Sequence, residues 1–167
     1  MKLGSISKNG KVVAFTYVSD GGWFGEGSLL KQEPRKYDAV ALIDTEIACI
    51  PIDLFMSILD KNISFNRYLI DQLNERLGQL ITMLESERTS NPEVRVSECL
   101  SLLYNKQLYP STDVQLNISQ EEIAQLCGLS RQHVNGALHS LEKRGWLKVN
   151  FGSVTIIEIG KLKKIAD

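Results

Sequence analysis

The sequence predicts an α+β fold in which a strand-rich start gives way to helices and a closing hairpin. Three observations carry this. The first fifty or so residues hold short β-rich runs separated by turn residues. Ile70, Leu73, Leu77, Leu80 and Leu84 are spaced 3, 4, 3, 4, which is the period of one helix face. "ISQEEIAQLCGLSRQHVNGALHSLEKRGWL", from Ile118 to Leu147, reads as two capped helices around a glycine turn.

At 167 residues the chain is long enough for one or two small domains. An apolar fraction of 43% and a charged fraction of 23% are ordinary for a folded, water-facing protein. The formal net charge of −1 excludes a chain-wide basic surface, so any nucleic-acid contact must rest on a local patch. No apolar run approaches the roughly 20 residues that a membrane helix needs. "MKLGSISKNG" lacks the apolar core of an export signal. A cytoplasmic protein without a membrane partner is expected. Cys49, Cys99 and Cys127 are odd in number and far apart, which predicts buried free thiols and no metal site.

"GSISKNGKVVAF" places Asn9-Gly10 between two strand-like runs, a pair suited to a two-residue type I′ turn. Asp20 to Gly22 supply the next turn, and "YDAVALID" and "EIACIP" read as further strands. About four strands make part of a roll or sandwich. They are too few to cover their own apolar face, so the unit is incomplete or leans on another element.

Helical pattern begins at Ile52. A short helix breaks near Asn62, and Ser64 can cap a longer one running to about Arg88. The narrow stripe of Ile70, Leu73, Leu77, Leu80 and Leu84 lies on it, flanked by Asp71, Gln72, Asn74, Glu75, Arg76 and Gln79. Such a stripe either faces a core within the chain or forms a seam with a second helix. Asn91 and Pro92 then fit the cap and first position of a helix ending near Asn105. A turn and a short strand follow.

Ser119 and Glu122 form a capping box for the first helix of the pair. Gly128 suits the turn, where φ must be positive, and Ser130 caps the second helix. At 100° per residue, Val134, Ala137, Leu138 and Leu141 share one side of it. Gln132, Gly136, His139 and Lys143 lie opposite, with Arg131 and Asn135 at the flank. Arginine pairs with guanine, and asparagine or glutamine with adenine, through two hydrogen bonds each. Gly136 leaves room for close approach. Arg131, Lys143, Arg144 and Lys148 against Glu142 give a local charge of +3. "GWLKVNFGSVTIIEI" adds a hairpin, turning at Asn150 to Ser153, that makes the pair a winged helix-turn-helix. Lys148 and Asn150 on it suit phosphate contact. The rival reading is a helical hairpin with a solvated polar face. His133 and His139, six residues apart, share no face and make a poor metal pair.

These elements, in this order, resemble the CRP/FNR family of bacterial transcription regulators over nearly the whole chain from Gly21 onward. The helix-turn-helix quoted above is similar to the family's DNA-binding signature. "GGWFGEGSLL" and "RKYDAVALIDTEIACIPIDLF" look like the second half of its cyclic-nucleotide-type β-roll. The resemblance implies a partial double-stranded, jelly-roll-like β-roll over residues 1–53. A linker and long dimerisation helix would span 54–90, and a winged helix-turn-helix 91–167. It implies a homodimer seamed by the apolar stripe, a palindromic double-stranded DNA operator, and RNA polymerase as a further partner. Arg131, Gln132 and Gly136 fall at the family's base-reading positions. Gly136 has no side chain to offer there, so the preferred operator should differ from that of familiar members.

The sensor match is looser. The family holds a cyclic phosphate with a Gly-Glu turn and an arginine followed by serine or threonine. Gly25, Glu26 and Arg35 fit, but Lys36 replaces the hydroxyl residue, and Tyr37 stands where a small residue is usual. Arg35 and Lys36 together still offer charge to a phosphate. Alternatively, Gly25 and Glu26 only keep the roll's turn and Arg35 is a surface charge. A cyclic nucleotide is thus a candidate effector, and no resident cofactor is expected. The cysteine cluster of the family's iron–sulfur branch is missing. Family members also carry roughly half of the roll, and a helix, ahead of the segment that begins here at Met1. A start set too far downstream, a fragment, and a shortened regulator each explain this. The alternative function is a cyclic-nucleotide or small-ligand binding module whose helical C-terminus mediates protein contacts only. No nucleophile–base pair suggests catalysis.

Overall fold

The computed structural model describes residues 1–8, 10, 12–88, 91–111 and 113–165. The chain runs β1 (Lys2–Ile6), β2 (Val12–Tyr17), α1 (Glu26–Lys31), β3 (Asp38–Val40), α2 (Ile52–Lys61), α3 (Ile63–Ser86) and α4 (Pro92–Leu103). It continues β4 (Gln115–Leu116), α5 (Gln120–Cys127), α6 (Arg131–Lys143), β5 (Leu147–Asn150), β6 (Ser153–Ile156) and α7 (Ile159–Lys163).

The N-terminal sheet has the order β2-β1-β3, all antiparallel. The β1–β2 ladder runs from Lys2↔Tyr17 to Ile6↔Val12, with a bulge between Leu3 and Gly4. A Cβ at Gly4 would collide with the carbonyl oxygen of Val13. The two-residue turn expected at Asn9-Gly10 rests on Asn9, which lies outside the described residues. Two strand expectations are corrected. Only the start of "YDAVALID" pairs, as β3 on β1, and "EIACIP" forms no strand. β-branched residues favour a ladder but cannot make one alone, and β1 already has a neighbour on each side.

The α2–α3 break falls at Asn62 as the pattern predicts. Asn62 itself is the cap, accepting from the Phe65 amide at 3.0 Å, so α3 starts before Ser64, the expected cap. The extended backbone of Asn62 aims its carboxamide at the orphan amides, which a residue already in the helix cannot do. α3 ends at Ser86, short of Arg88. It packs on the chain through Leu69, Gln72 and Gln79. Gln72 donates to the Gln107 carbonyl (3.0 Å) and Gln79 to that of Leu102 (2.8 Å). The stripe of Ile70, Leu73, Leu77, Leu80 and Leu84 points away, 36% to 61% exposed. It is therefore not a core face of this chain.

The main core sits in the C-terminal half. Val96 and Leu100 of α4, Ile123 of α5, Val134 and Leu141 of α6, Leu147 of β5 and Leu162 of α7 are all but completely buried. Asn91 caps α4, accepting from the Glu93 amide at 2.9 Å. Ala14 and Tyr17 of β2 enter this same core. The Tyr17 hydroxyl donates to the Glu122 carbonyl (3.3 Å), and the Lys2 ammonium to the Gln125 side chain (3.2 Å). The short sheet thus leans on α5. Cys99 and Cys127 are buried as expected, but Cys49 is exposed, as are the residues on either side of it. No helix among the described residues is long and apolar enough to cross a membrane.

Candidate nucleic-acid interface

α5 and α6 are set by local chemistry at both ends. The Glu122 amide donates to the Ser119 hydroxyl at 3.2 Å, and the Glu122 carboxylate accepts from the Ser119 amide at 2.8 Å. α5 ends at Gly128 with φ 63°, a left-handed value that a side chain resists. Arg95 of α4 donates to the Cys127 carbonyl at that turn, and the Cys127 thiol donates to the Arg95 carbonyl at 3.7 Å. Nothing in the sequence near the turn signals Arg95, since it arrives from another helix. The Ser130 hydroxyl accepts from the His133 amide at 3.3 Å and opens α6.

Val134, Ala137, Leu138 and Leu141 are buried against α4 and α5, as the 100° spacing predicts. Arg131, Gln132, Asn135, Gly136, His139 and Lys143 form the exposed side of α6, and Lys148 is exposed on β5. Ser130 is committed to its cap. The Asn135 amide reaches the Gln120 side chain at 3.2 Å and ties the start of α5 to the second turn of α6. His139 faces Glu142 at 3.6 Å, and Glu142 accepts from the Val149 amide at 2.8 Å, which fixes the wing to α6. His133 instead sits 3.0 Å from the Ser130 hydroxyl. Arg144 is partly turned to the fold. Its side chain is 45% exposed, and its guanidinium pairs with Glu93 at 2.8 Å and lies over the Trp146 ring at 5.1 Å.

A second cluster lies at the sheet end. Gly25 has φ 94°, and a Cβ there would meet the Arg35 guanidinium at 2.8 Å. Arg35 also lies over the Phe24 ring at 5.7 Å. The Glu26 side chain, 7% exposed, pairs with Arg76 of α3 at 3.2 Å. Arg76 donates as well to the Trp23 carbonyl. One Glu26 oxygen and the Arg76 Nε are buried with no partner among the described residues. Burial, with Glu26 close by, pushes the Tyr37 phenol above its ordinary value. An open cleft of about 1100 Å³ adjoins Gly25, Glu26, Arg35 and Phe55. Arg35 closes on Gly25, and both line this cleft with Glu26. Lys36 is not with them: it is 81% exposed and pairs with Glu33 at 3.7 Å. Arg76 joins instead, a residue that reads from sequence only as a polar flank of the stripe.

Comparison with known proteins agrees with both halves. Residues 1–62 match the cyclic nucleotide-binding domain, and residues 75–165 the Crp-like helix-turn-helix domain. The CRP-like cAMP-activated global transcriptional regulator of Mycobacterium tuberculosis is 27% identical over 169 aligned positions, spanning 99% of this chain and 75% of that protein. The transcriptional regulator SdrP of Thermus thermophilus is 24% identical, spanning 100% of this chain and 80% of its own. A crystal structure of a CRP/FNR-family regulator from Thermus thermophilus superposes with a TM-score of 0.67 at 22% identity, over 99% of this chain and 82% of that one. It shows that the fold is shared. The helix-turn-helix match covers more than half of the chain, on the elements whose caps and turn are described above. The chain belongs to the CRP/FNR family of transcriptional regulators.

Proposed function

We propose that this chain is a homodimeric, sequence-specific reader of double-stranded DNA, acting in the cytoplasm on transcription under the control of a signal taken up at the β-roll. The observation that carries this is the two-sidedness of α6. Its apolar side is locked into the core while Arg131, Gln132, Asn135 and His139 stand open in water. Arg131 and Gln132, with Asn135 behind them, are the base-reading candidates. Lys143 and Lys148 suit phosphate, which fixes position without reading sequence. Ser130 holds the start of the helix, and Gly136 lets the backbone approach the groove.

The exposed stripe from Ile70 to Leu84 supports dimerisation through α3. A two-fold dimer matches a palindromic operator, and RNA polymerase is a further partner. Working boundaries are 1–53 for the partial roll, 54–90 for the linker and long helix, and 91–167 for the winged helix. At the sensor, Gly25, Glu26, Arg35 and Arg76 fit an anionic ligand that also carries a hydroxyl. The cation of Arg35 suits the anion, and the unpartnered Glu26 oxygen suits the donor. A cyclic nucleotide has both groups, and Lys36 lies outside this set. A change in the Glu26–Arg76 pair would move α3 and so re-space the two recognition helices.

Arg131→Ala tests the reading. Duplex affinity should fall by about 1–3 kcal/mol with relaxed sequence preference at one position, or the salt slope should drop by about 1. If affinity and slope are both unchanged, α6 does not read DNA, and the ligand-module reading takes its place.

A further inference from the structure

Two thiols from different helices meet under the turn between α5 and α6. Cys127 is the last residue of α5, next to Gly128, and Cys99 lies on α4. The Cys127 thiol donates to the Arg95 carbonyl at 3.7 Å. Arg95 lies one helical turn before Cys99, and a helical side chain leans back over that turn. The Cys99 thiol accordingly meets Cys127 and shares a hydrogen bond with it. That bond and burial hold the Cys99 thiol well above its ordinary value. Both residues also line a small, partly open cavity of about 30 Å³, with Glu98, Leu102 and Leu126 on its walls. That is roughly one water molecule's share of the liquid. Glu98 has a carboxylate oxygen buried with no partner among the described residues, so a small hydrogen-bond donor in the cavity finds an acceptor. Buried thiols are ordinarily inert because nothing reaches them. Here a molecule of water's size can.

We propose that Cys99 and Cys127 are a dithiol that hydrogen peroxide closes to a disulfide, and that closure weakens DNA binding. Cys127 attacks first, because Cys99 keeps its proton in the bond between them. The Cys127 thiolate breaks the O–O bond. Its sulfur takes one oxygen as sulfenic acid, and the other leaves as hydroxide, which takes up the proton that Cys127 lost. The Cys99 sulfur then attacks the sulfenic sulfur, forms the S–S bond and expels water with its own proton. Two thiols and one peroxide become one disulfide and two waters, and a dithiol reductant reverses the change. The new bond draws the sulfurs closer than their hydrogen bond does and takes Cys127 off the Arg95 carbonyl. The end of α5 shifts, and α6 follows through the tight turn at Gly128. The effect on DNA rests on the DNA reading proposed above. The disulfide itself does not.

The probe is hydrogen peroxide on the full chain carrying Cys49→Ser, which removes the exposed thiol. Peptide mass spectrometry should find Cys99 joined to Cys127. This mapping needs no core substitution, so it stands whether or not the buried variants fold. With Cys99→Ala added, a 1,3-diketone should trap sulfenic acid at Cys127. With Cys127→Ala added, it should trap none at Cys99. Glutathione disulfide, too large for the cavity, should close the pair far more slowly than peroxide. The DNA probe is a duplex selected by the reduced chain from a random-sequence pool. Oxidation should lower its affinity about tenfold, and dithiothreitol should restore it. Either alanine variant should bind at the reduced level and ignore peroxide. The absence of a Cys99–Cys127 link overturns the proposal, and so does a link that leaves affinity unchanged. Sulfenic acid trapped at Cys99 overturns it too, as do equal rates with the two oxidants. A reduced chain that selects no duplex overturns the DNA reading and the control of binding together, while the mapped link still decides the disulfide.

Discussion

Alanine at position 136 is expected to stabilise the fold and weaken DNA binding, two effects of opposite sign from one methyl group. Gly136 lies in the middle of α6, and a Cβ built there meets nothing within 4 Å. Its backbone is not among those with positive φ, so alanine costs neither a clash nor strain. What remains is the propensity difference of about 0.8–1.0 kcal/mol in favour of alanine in a helix interior. Part of it comes from the narrower freedom of the unfolded chain. A domain of this size gains about 2–4 °C in Tm per kcal/mol, so calorimetry should read a rise of that order. The same methyl projects from the outward side of α6, where the backbone would approach the groove. If it lifts one paired base contact, affinity falls by about 1–3 kcal/mol in fluorescence anisotropy with a selected duplex. A lower Tm would show that position 136 is not open. An unchanged affinity beside the higher Tm would show that the helix meets DNA elsewhere along its length.

Ile70→Asp with Leu77→Asp should leave the single chain nearly as stable, because both side chains already face water. Sedimentation should show monomer in place of dimer, and affinity for a palindromic duplex should fall about 100-fold or more as the two half-sites cease to be linked. A variant that is monomeric yet binds like the parent refutes the seam. Arg76→Ala leaves Glu26 buried without its cation and should cost about 3 kcal/mol in denaturant unfolding. Adding Glu26→Gln should recover part of that, since the stranded charge is gone. No recovery would mean that the bond from Arg76 to the Trp23 carbonyl, and not the ion pair, holds α3 to the sheet end.

The helix-turn-helix was legible because its determinants are local. Caps act over three residues, a left-handed turn needs glycine at one position, and the 3.6-residue period decides which side of α6 is buried. Ser119, Glu122, Gly128 and Ser130 each sit where that logic places them. The strands were less legible. "EIACIP" has the composition of a strand, yet pairing depends on a neighbour that composition does not supply. The stripe on α3 had two readings with the same periodicity, and only its exposure in the folded chain separates them.

By itself, then, the sequence determined the helix-turn-helix with its caps and turn, and the outward set from Arg131 to Lys143, but not α1, α7 or the cap of α3. Torsional preference and hydrogen bonds within a few residues suffice for the helix-turn-helix. The tertiary structure decided the rest. It placed Arg76 on Glu26 and left Lys36 in water. It paired Arg144 with Glu93, and it tied the wing to α6 through Glu142. Each of these pairs joins groups from separate elements. Charge attracts through space and not along the chain, so residues without any local pattern become partners only once the core has brought their elements together.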